Sequence, residues 1–170
     1  TQTSTYRHGY TMNLIAHRGL FNGPNSSWEN RPEQILLALK NGYDAEVDVR
    51  VIDGEIFLGH DRPDYKVDED FIEQPGLWLH AKNLEALSML NYLNTFWHEN
   101  DKHTTTSKGY IWSLPGESTC AQKGIIVMPE HTMHRYEMQF NDVATQDCYG
   151  ICSDYVEQIR DIVNETISMR

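Results

Sequence analysis

The chain alternates short apolar runs with segments of helical periodicity, and this alternation restricts its fold more than any other feature. Apolar runs at 14–16 and Leu77–Ala81 and the alternating segment Asp44–Ile52 predict strands, whereas 33–39 and 84–93 place apolar residues at helical spacing. Strands that alternate with helices are typical of a parallel sheet covered by helices. The sequence therefore predicts an α/β fold.

The strand spacing favours a β/α barrel over an open sheet. At 170 residues the chain is short for such a barrel, for which about 250 residues are typical. We therefore expect a compact, irregular TIM-type barrel with about seven or eight strands and shortened helices. Residues 13–170 are expected to form this single domain, and the polar residues 1–12 a tail.

The formal charge of −11 restricts the partners of the chain. Nucleic-acid binding needs a basic face, so the charge argues against nucleic acid as the main partner.

No segment approaches the roughly 18 apolar residues of a membrane span, and the N-terminus does not resemble a signal peptide. Three cysteines are too few for a disulfide framework, and Cys120, Cys148 and Cys152 are predicted to be reduced core residues. These features predict a cytoplasmic location and leave the oligomeric state open.

Polar residues cluster at the ends of the predicted strands, where barrel enzymes place their active sites. His17 and Arg18 end the first strand, His60 follows a return strand, and His80 and Lys82 end the next strand. A single histidine after a strand is more often a structural residue, but two imidazoles can act as general acid and base near neutral pH. Arginine and lysine at such positions could hold phosphate oxygens.

Glu46 and Asp48 lie two residues apart on a predicted strand, so both carboxylates point to one face. On a solvent-facing side they would have no special role, and Val47 and Val49 would form the buried side. Inside the fold they would repel each other and lose hydration, unless a hard cation such as Mg²⁺ or Ca²⁺ cancelled the repulsion. The pattern leaves both interpretations open.

Taken together, these elements resemble the signature of the glycerophosphodiester phosphodiesterases. The matching elements, in order, are His17-Arg18-Gly19, Glu29-Asn30, Glu46-Val47-Asp48-Val49, Asp53-Gly54 and Gly59-His60-Asp61. Downstream, 110–113 resembles a strand that carries an aromatic residue near the substrate, and 150–154 resembles the closing strand. The resemblance implies a β/α barrel related to that of the phosphatidylinositol-specific phospholipases C.

The resemblance also implies a role for each matching residue. The implied roles are general acid and base for His17 and His60, metal ligation for Glu46 and Asp48, ligation or orientation of a catalytic group for Glu29, phosphate contact for Arg18 and Lys82, and substrate contact for Trp112. The implied cofactor is one divalent cation, Mg²⁺ or Ca²⁺, with Mn²⁺ as an alternative.

His80 departs from the family pattern, which usually has glutamate or aspartate at that position. Imidazole suits Mg²⁺ and Ca²⁺ less well than a carboxylate does. Three interpretations are open: His80 ligates a different metal, Glu99 or Glu130 supplies the third ligand, or His80 binds phosphate.

The expected activity is metal-dependent hydrolysis of a small phosphodiester, most simply a glycerophosphodiester, by two-histidine acid–base catalysis. A neighbouring hydroxyl of the substrate could attack first and give a cyclic phosphate. The competing expectation is a barrel that binds phosphate and metal without turnover.

Overall fold

A computed structural model of the chain describes residues 5–7, 10–117, 119 and 122–169, with side chains from residue 12 onward. The strands are β1 (Thr5–Arg7), β2 (Tyr10–His17), β3 (Asp44–Ile52), β4 (Glu55–Leu58), β5 (Tyr65–Val67), β6 (Leu77–Ala81), β7 (Thr95–Phe96), β8 (His103–Thr105), β9 (Ile111–Ser113), β10 (Gly124–Val127) and β11 (Gly150–Ser153). The helices are α1 (Pro32–Lys40), α2 (Glu69–Ile72), α3 (Leu84–Met89), α4 (Phe140–Ala144) and α5 (Val156–Ser168).

Parallel strands form the centre of the sheet, in the order β7-β6-β3-β2-β11-β10-β9. Antiparallel pairing adds β1 to β2, β4 to β3, β5 to β4 and β8 to β9. The predicted α/β fold with a parallel sheet is therefore confirmed.

The sheet curls into a half-barrel, and within the described residues no strand ladder closes it. Its edges approach through Ser107, whose backbone N–H donates to the Thr95 carbonyl at 2.8 Å, and through the stacked rings of Phe96 and Trp112, 4.5 Å apart. Because β7 has only two residues, it offers little backbone for a closing ladder. The predicted TIM-type barrel is thus observed only as a partial barrel.

The two faces of β3 have different surroundings, as its alternation requires. Ala45, Val47 and Val49 belong to the larger apolar core, which also takes the buried residues of α1, α3 and α5. The pairing register places Glu46 beside Trp78 of β6, and Trp78 belongs to a second apolar cluster on the concave face. The acids of β3 therefore point into the half-barrel.

The cysteines, the N-terminal residues and the helices can be compared with the sequence predictions. Cys148 and Cys152 are buried, as predicted, whereas Cys120 lies outside the described residues. Thr5–Arg7 pairs with β2, so this part of the expected polar tail is an edge strand; the domain boundaries remain a prediction. Among the described residues, no helix has the length and apolarity that a bilayer crossing needs.

Candidate active site

Two acids of β3 lie at the carboxyl end of the parallel strands and are withdrawn from water. Glu46 is 2% exposed and Asp48 is fully buried. The pairing register places His17 of β2 beside Glu46, and His80 of β6 beside Asp48. The interpretation of the two acids as a solvated strand face is therefore wrong, and their burial calls for compensating positive charge.

Glu46, Asp48 and His80 converge closely enough to share one ion. One ligand atom from each lies within 4.8 Å of the others. His80 Nδ1 is 3.3 Å from Asp48 Oδ1 and 3.7 Å from Glu46 Oε1. Asp48 Oδ1 is buried and has no hydrogen-bond partner. A buried carboxylate oxygen without a donor is the position that a cation would satisfy.

The second ring nitrogen of His80 supports the same interpretation. Nε2 lies 3.0 Å from the backbone carbonyl of His98, and only an N–H can bond to a carbonyl, so Nε2 carries a proton. In the neutral tautomer, Nδ1 then presents a lone pair to the two carboxylates. A metal-binding histidine characteristically donates its other N–H to a carbonyl in this way. The alternative compensation is an imidazolium, with a second proton on Nδ1.

Asn30 and Arg18 hold the other oxygen of Asp48. Asn30 Nδ2 donates to Asp48 Oδ2 at 2.9 Å, and the Asp48 N–H donates to Asn30 Oδ1 at 3.0 Å. Arg18 Nε lies 3.1 Å from Oδ2 as an ion pair without hydrogen-bond alignment. Burial opposes ionisation of Asp48, but His80, when its Nδ1 is protonated, together with Arg18 and Asn30 outweighs it and lowers the pKa of this carboxyl well below its usual range. These contacts favour the ionised form of Asp48.

The ionised form of Glu46 is less well stabilised than that of Asp48. Burial and the neighbouring Asp48 raise its pKa, against the opposing effects of His17, His80 and Arg18. The Arg18 backbone N–H donates to Glu46 Oε2 at 3.2 Å, and Arg18 itself adopts a left-handed conformation with φ 54°. A cation between Glu46 and Asp48 would remove their mutual repulsion.

His17 is oriented by Asp154, which follows β11. His17 Nδ1 lies 2.9 Å from Asp154 Oδ1, and its Nε2 lies 3.8 Å from Glu46 Oε2. Burial lowers the pKa of His17, but Asp154 and Glu46 reverse this effect, so the net shift is upward. Glu130 in turn accepts hydrogen bonds from Ser153 Oγ and from the Asp154 N–H. A chain of contacts thus fixes the His17 ring.

The remaining predicted site residues are not among the three converging donors. Glu29 contacts Arg18 Nη1 at 3.0 Å and is not one of the three converging donors. The His60 side chain is 37% exposed and bonds to Asp61, with no hydrogen bond or ion pair to the cluster within the described structure. Trp112 is buried, at 3% exposure, on the concave face. The Lys82 backbone N–H bonds to the Val49 carbonyl, which anchors its position beside β3.

Sequence reasoning assigned no role to Asn30, Asp154 or the Glu130–Ser153 contact. Asp154 follows an apolar strand, which is the same signal that selected His17 and His80. Glu130 was considered as a third metal ligand, but its carboxylate lies against Ser153 and the Asp154 N–H. Glu99, the other candidate, is exposed. The candidates for the third metal ligand were His80, Glu99 and Glu130. Of these three, the described structure brings His80 to Glu46 and Asp48.

The fold and the site define an α/β half-barrel with acids, imidazoles and an arginine gathered at the carboxyl end of its strands. No protein-family model and no curated protein sequence matches the chain. A solved structure from Silicibacter pomeroyi DSS-3, provisionally named a glycerophosphoryl diester phosphodiesterase, is 12% identical, with a TM-score of 0.48 over 94% of this chain and 95% of that one. At this identity and TM-score, the similarity does not establish a shared family.

Proposed function

We propose that the protein hydrolyses a small phosphodiester, such as a glycerophosphodiester, in a reaction that depends on a divalent cation. The observation that carries the proposal is the convergence of Glu46, Asp48 and His80 around a buried carboxylate oxygen without a donor. His17 and Arg18 lie in contact with the same two acids. A site for a cation, a proton carrier and a fixed positive charge are the groups that phosphodiester cleavage needs.

Glu46, Asp48 and His80 would hold the cation. When bound, it would stabilise the negative charge that grows on the non-bridging phosphate oxygens. Two carboxylates suit Mg²⁺ and Ca²⁺, whereas the imidazole moves the preference toward Mn²⁺ and other transition metals. The donor set therefore fits a divalent ion.

His17 would carry one of the two protons in the reaction. With Nδ1–H donated to Asp154, the neutral ring presents a lone pair at Nε2, on the side of Glu46. In this proposal His17 and His60 act as the acid–base pair: one deprotonates the attacking water or substrate hydroxyl, and the other protonates the leaving alkoxide. Attack by a substrate hydroxyl would release a cyclic phosphate.

Arg18 would bind the phosphate through guanidinium donors that Glu29 and Asp48 do not occupy. Lys82 would add a second positive charge, and Trp112 would contact the substrate. The Trp112 ring stacks on Phe96, whose ring stacks on His80 with centroids 4.9 Å apart. These three roles follow the family resemblance rather than a bound ligand.

A non-catalytic phosphate- and metal-binding barrel is the second candidate. The observation that favours it is the engagement of Arg18 by two carboxylates, which reduces its capacity to stabilise a transition state. Such a protein would bind the same metal and the same diester but would not turn the diester over.

The proposal is tested by initial rates on glycerophosphocholine, glycerophosphoethanolamine and bis(p-nitrophenyl) phosphate, with EDTA, Mg²⁺, Ca²⁺ or Mn²⁺. We expect metal-dependent turnover that falls by about 10²–10⁴-fold in His17→Ala, the usual contribution of a general acid or base. His134→Ala is the matched control, because His134 is exposed and should retain the wild-type rate.

Folded protein that turns over none of these diesters with any metal would contradict the enzyme. Metal-dependent binding of the diester without turnover would then identify the binding module. Equal rates in His17→Ala and His134→Ala would remove His17 from the mechanism.

A further inference from the structure

A second polar pocket opens at the amino end of the parallel strands, opposite the candidate active site. Its volume is about 320 Å³, and its walls include Asn13 of β2, Asp44 at the start of β3 and Trp78 of β6. Tyr110 and Tyr149, which immediately precede β9 and β11, complete the aromatic side. In barrel folds this end normally serves stability rather than chemistry, so a pocket with a buried acid there is unexpected.

Asp44 brings a carboxylate to this pocket without a basic partner. The residue is 9% exposed, and Trp78 Nε1 donates to its Oδ2 at 2.9 Å. Within the described part of the chain, no lysine, arginine or histidine forms an ion pair with Asp44, and no donor bonds to its Oδ1. Burial raises the pKa of Asp44 to about 6, and a cation beside the carboxylate would stabilise its ionised form.

Asn94 adds a second acceptor to the pocket wall. Its Oδ1 is buried and has no hydrogen-bond partner. The pocket wall thus offers a carboxylate oxygen and an amide oxygen as acceptors. A ligand that carries positive charge and donates hydrogen bonds would complement both.

The aromatic residues of the pocket also suit a positively charged ligand. The Tyr110 and Tyr149 ring centroids are 4.5 Å apart, and Trp78 lies 5.0 Å from Tyr110. Lys123 Nζ already lies 4.5 Å from the Tyr110 centroid, so an ammonium group is accommodated against this ring. Aromatic faces attract organic ammonium ions more readily than they attract hard metal ions, which need several oxygen ligands.

We propose that the amino-end pocket binds a small organic ammonium ion, with its charge against Asp44 and its apolar part against Trp78, Tyr110 and Tyr149. The pocket lies at the lower end of the volume range of ligand sites, which favours an ion of a few carbon atoms. This inference does not depend on the phosphodiesterase proposal, because none of its residues is a proposed catalytic group or metal ligand.

The test titrates the full chain with tetramethylammonium or ethylammonium chloride, using sodium chloride at equal ionic strength as the reference. A change in tryptophan fluorescence detects a ligand beside Trp78, one of the four tryptophans of the chain, and the melting temperature reports on binding to the folded state. We expect saturable binding that Asp44→Asn weakens by about tenfold, the equivalent of roughly 1.4 kcal/mol. Asp161→Asn, which removes an exposed charge on α5, should bind as the wild type does.

Asn94→Leu provides a second variant in case Asp44→Asn does not fold. Its side chain makes no hydrogen bond that the structure describes, so the change removes an acceptor without breaking a contact, and binding should weaken several-fold. A response to ammonium ions that does not saturate, or equal affinity in wild type and in whichever of the two variants folds, would overturn the proposal. Diester turnover in the same samples is a separate readout, so the two proposals fail independently.

Discussion

At the scale of single residues, Tyr43 combines good ring packing with an unsatisfied hydroxyl. Its ring lies 5.5 Å from that of Phe21 and 4.4 Å from the Arg160 guanidinium carbon. The hydroxyl is buried and has no hydrogen-bond partner. Burial raises the pKa of Tyr43 to about 12, although Arg160 opposes the shift. The phenol therefore contributes contacts through its ring and little through its oxygen.

Tyr43→Phe should keep the ring contacts and remove the unsatisfied group. We expect the free energy of unfolding at pH 8 to change by less than about 1 kcal/mol, or to rise. A raised pKa stabilises the fold fully below pH 10, the usual tyrosine value, and this contribution is lost as the pH rises toward 12. The wild type should therefore lose more stability than the variant between pH 10 and 11.5, measured by urea denaturation. A clearly less stable variant at pH 8 would reveal a hydroxyl partner.

Some features of the site could be predicted from the sequence, and others could not. Glu46 and Asp48 were predictable because a strand repeats every two residues, which fixes their common face. Whether that face was wet or buried was not predictable, because it depends on β2 and β6 on either side of β3. Asp154 received no role, because its contact with His17 spans 137 positions of the chain.

At the scale of elements, the β3–β4 hairpin leads into the loop that holds His60. Asp53 and Gly54 form its turn, and both residues have left-handed φ values of 51° and 79°, as a tight hairpin turn requires. Gly59 then ends the return strand with φ 150°, and a Cβ there would lie 1.9 Å from the Arg62 carbonyl oxygen. The loop that presents His60 therefore needs glycine at its start.

Gly59→Ala should displace the His60 loop. We expect a loss of at least about 2 kcal/mol in unfolding free energy, because a backbone atom, not a flexible side chain, would have to move. Gly54→Ala is the matched control, since its φ is also positive and no atom lies within 4 Å of an added Cβ; it should cost about 1 kcal/mol. Equal losses for the two variants, measured by denaturant unfolding, would contradict this account.

Element types were predicted better than element ends. The segment 84–93 was expected to be helical throughout, yet α3 ends at Met89. The Thr95 hydroxyl bonds back to the Leu90 carbonyl, so the chain turns toward β7 before the helical pattern runs out. Individual contacts of this kind set the end of a helix, and the spacing of the apolar residues does not express them.

At the scale of the whole molecule, the α/β class followed from the order of the elements, but the closure of the barrel did not. Among the described residues, the edges approach through the stacked rings of Phe96 and Trp112 and through hydrogen bonds between Ser107 and the Thr95 backbone. Seven short parallel strands therefore curl without forming a complete ring. The carboxyl end gathers Glu46, Asp48 and His80, and the amino end gathers Asp44 and its aromatic wall.

The net charge of −11 is partly explained by this arrangement. Glu29, Glu46, Asp48 and Asp154 surround one arginine, Arg18, and two histidines. Acids packed at this density require compensation by a cation or by imidazolium ions. The proposed metal site of Glu46, Asp48 and His80 would supply this compensation.

Calorimetric titration of EDTA-treated protein with Mn²⁺, Mg²⁺ and Ca²⁺ tests that claim most directly. We predict one divalent ion per chain, bound with a melting temperature increase of roughly 5–10 °C at 100-fold excess over Kd. Asp48→Asn should abolish both effects, while Asp70→Asn, a change at an exposed acid of α2, should preserve them. Absence of binding in folded wild type, or equal binding in Asp48→Asn, would contradict the metal site and leave imidazolium as the compensating charge.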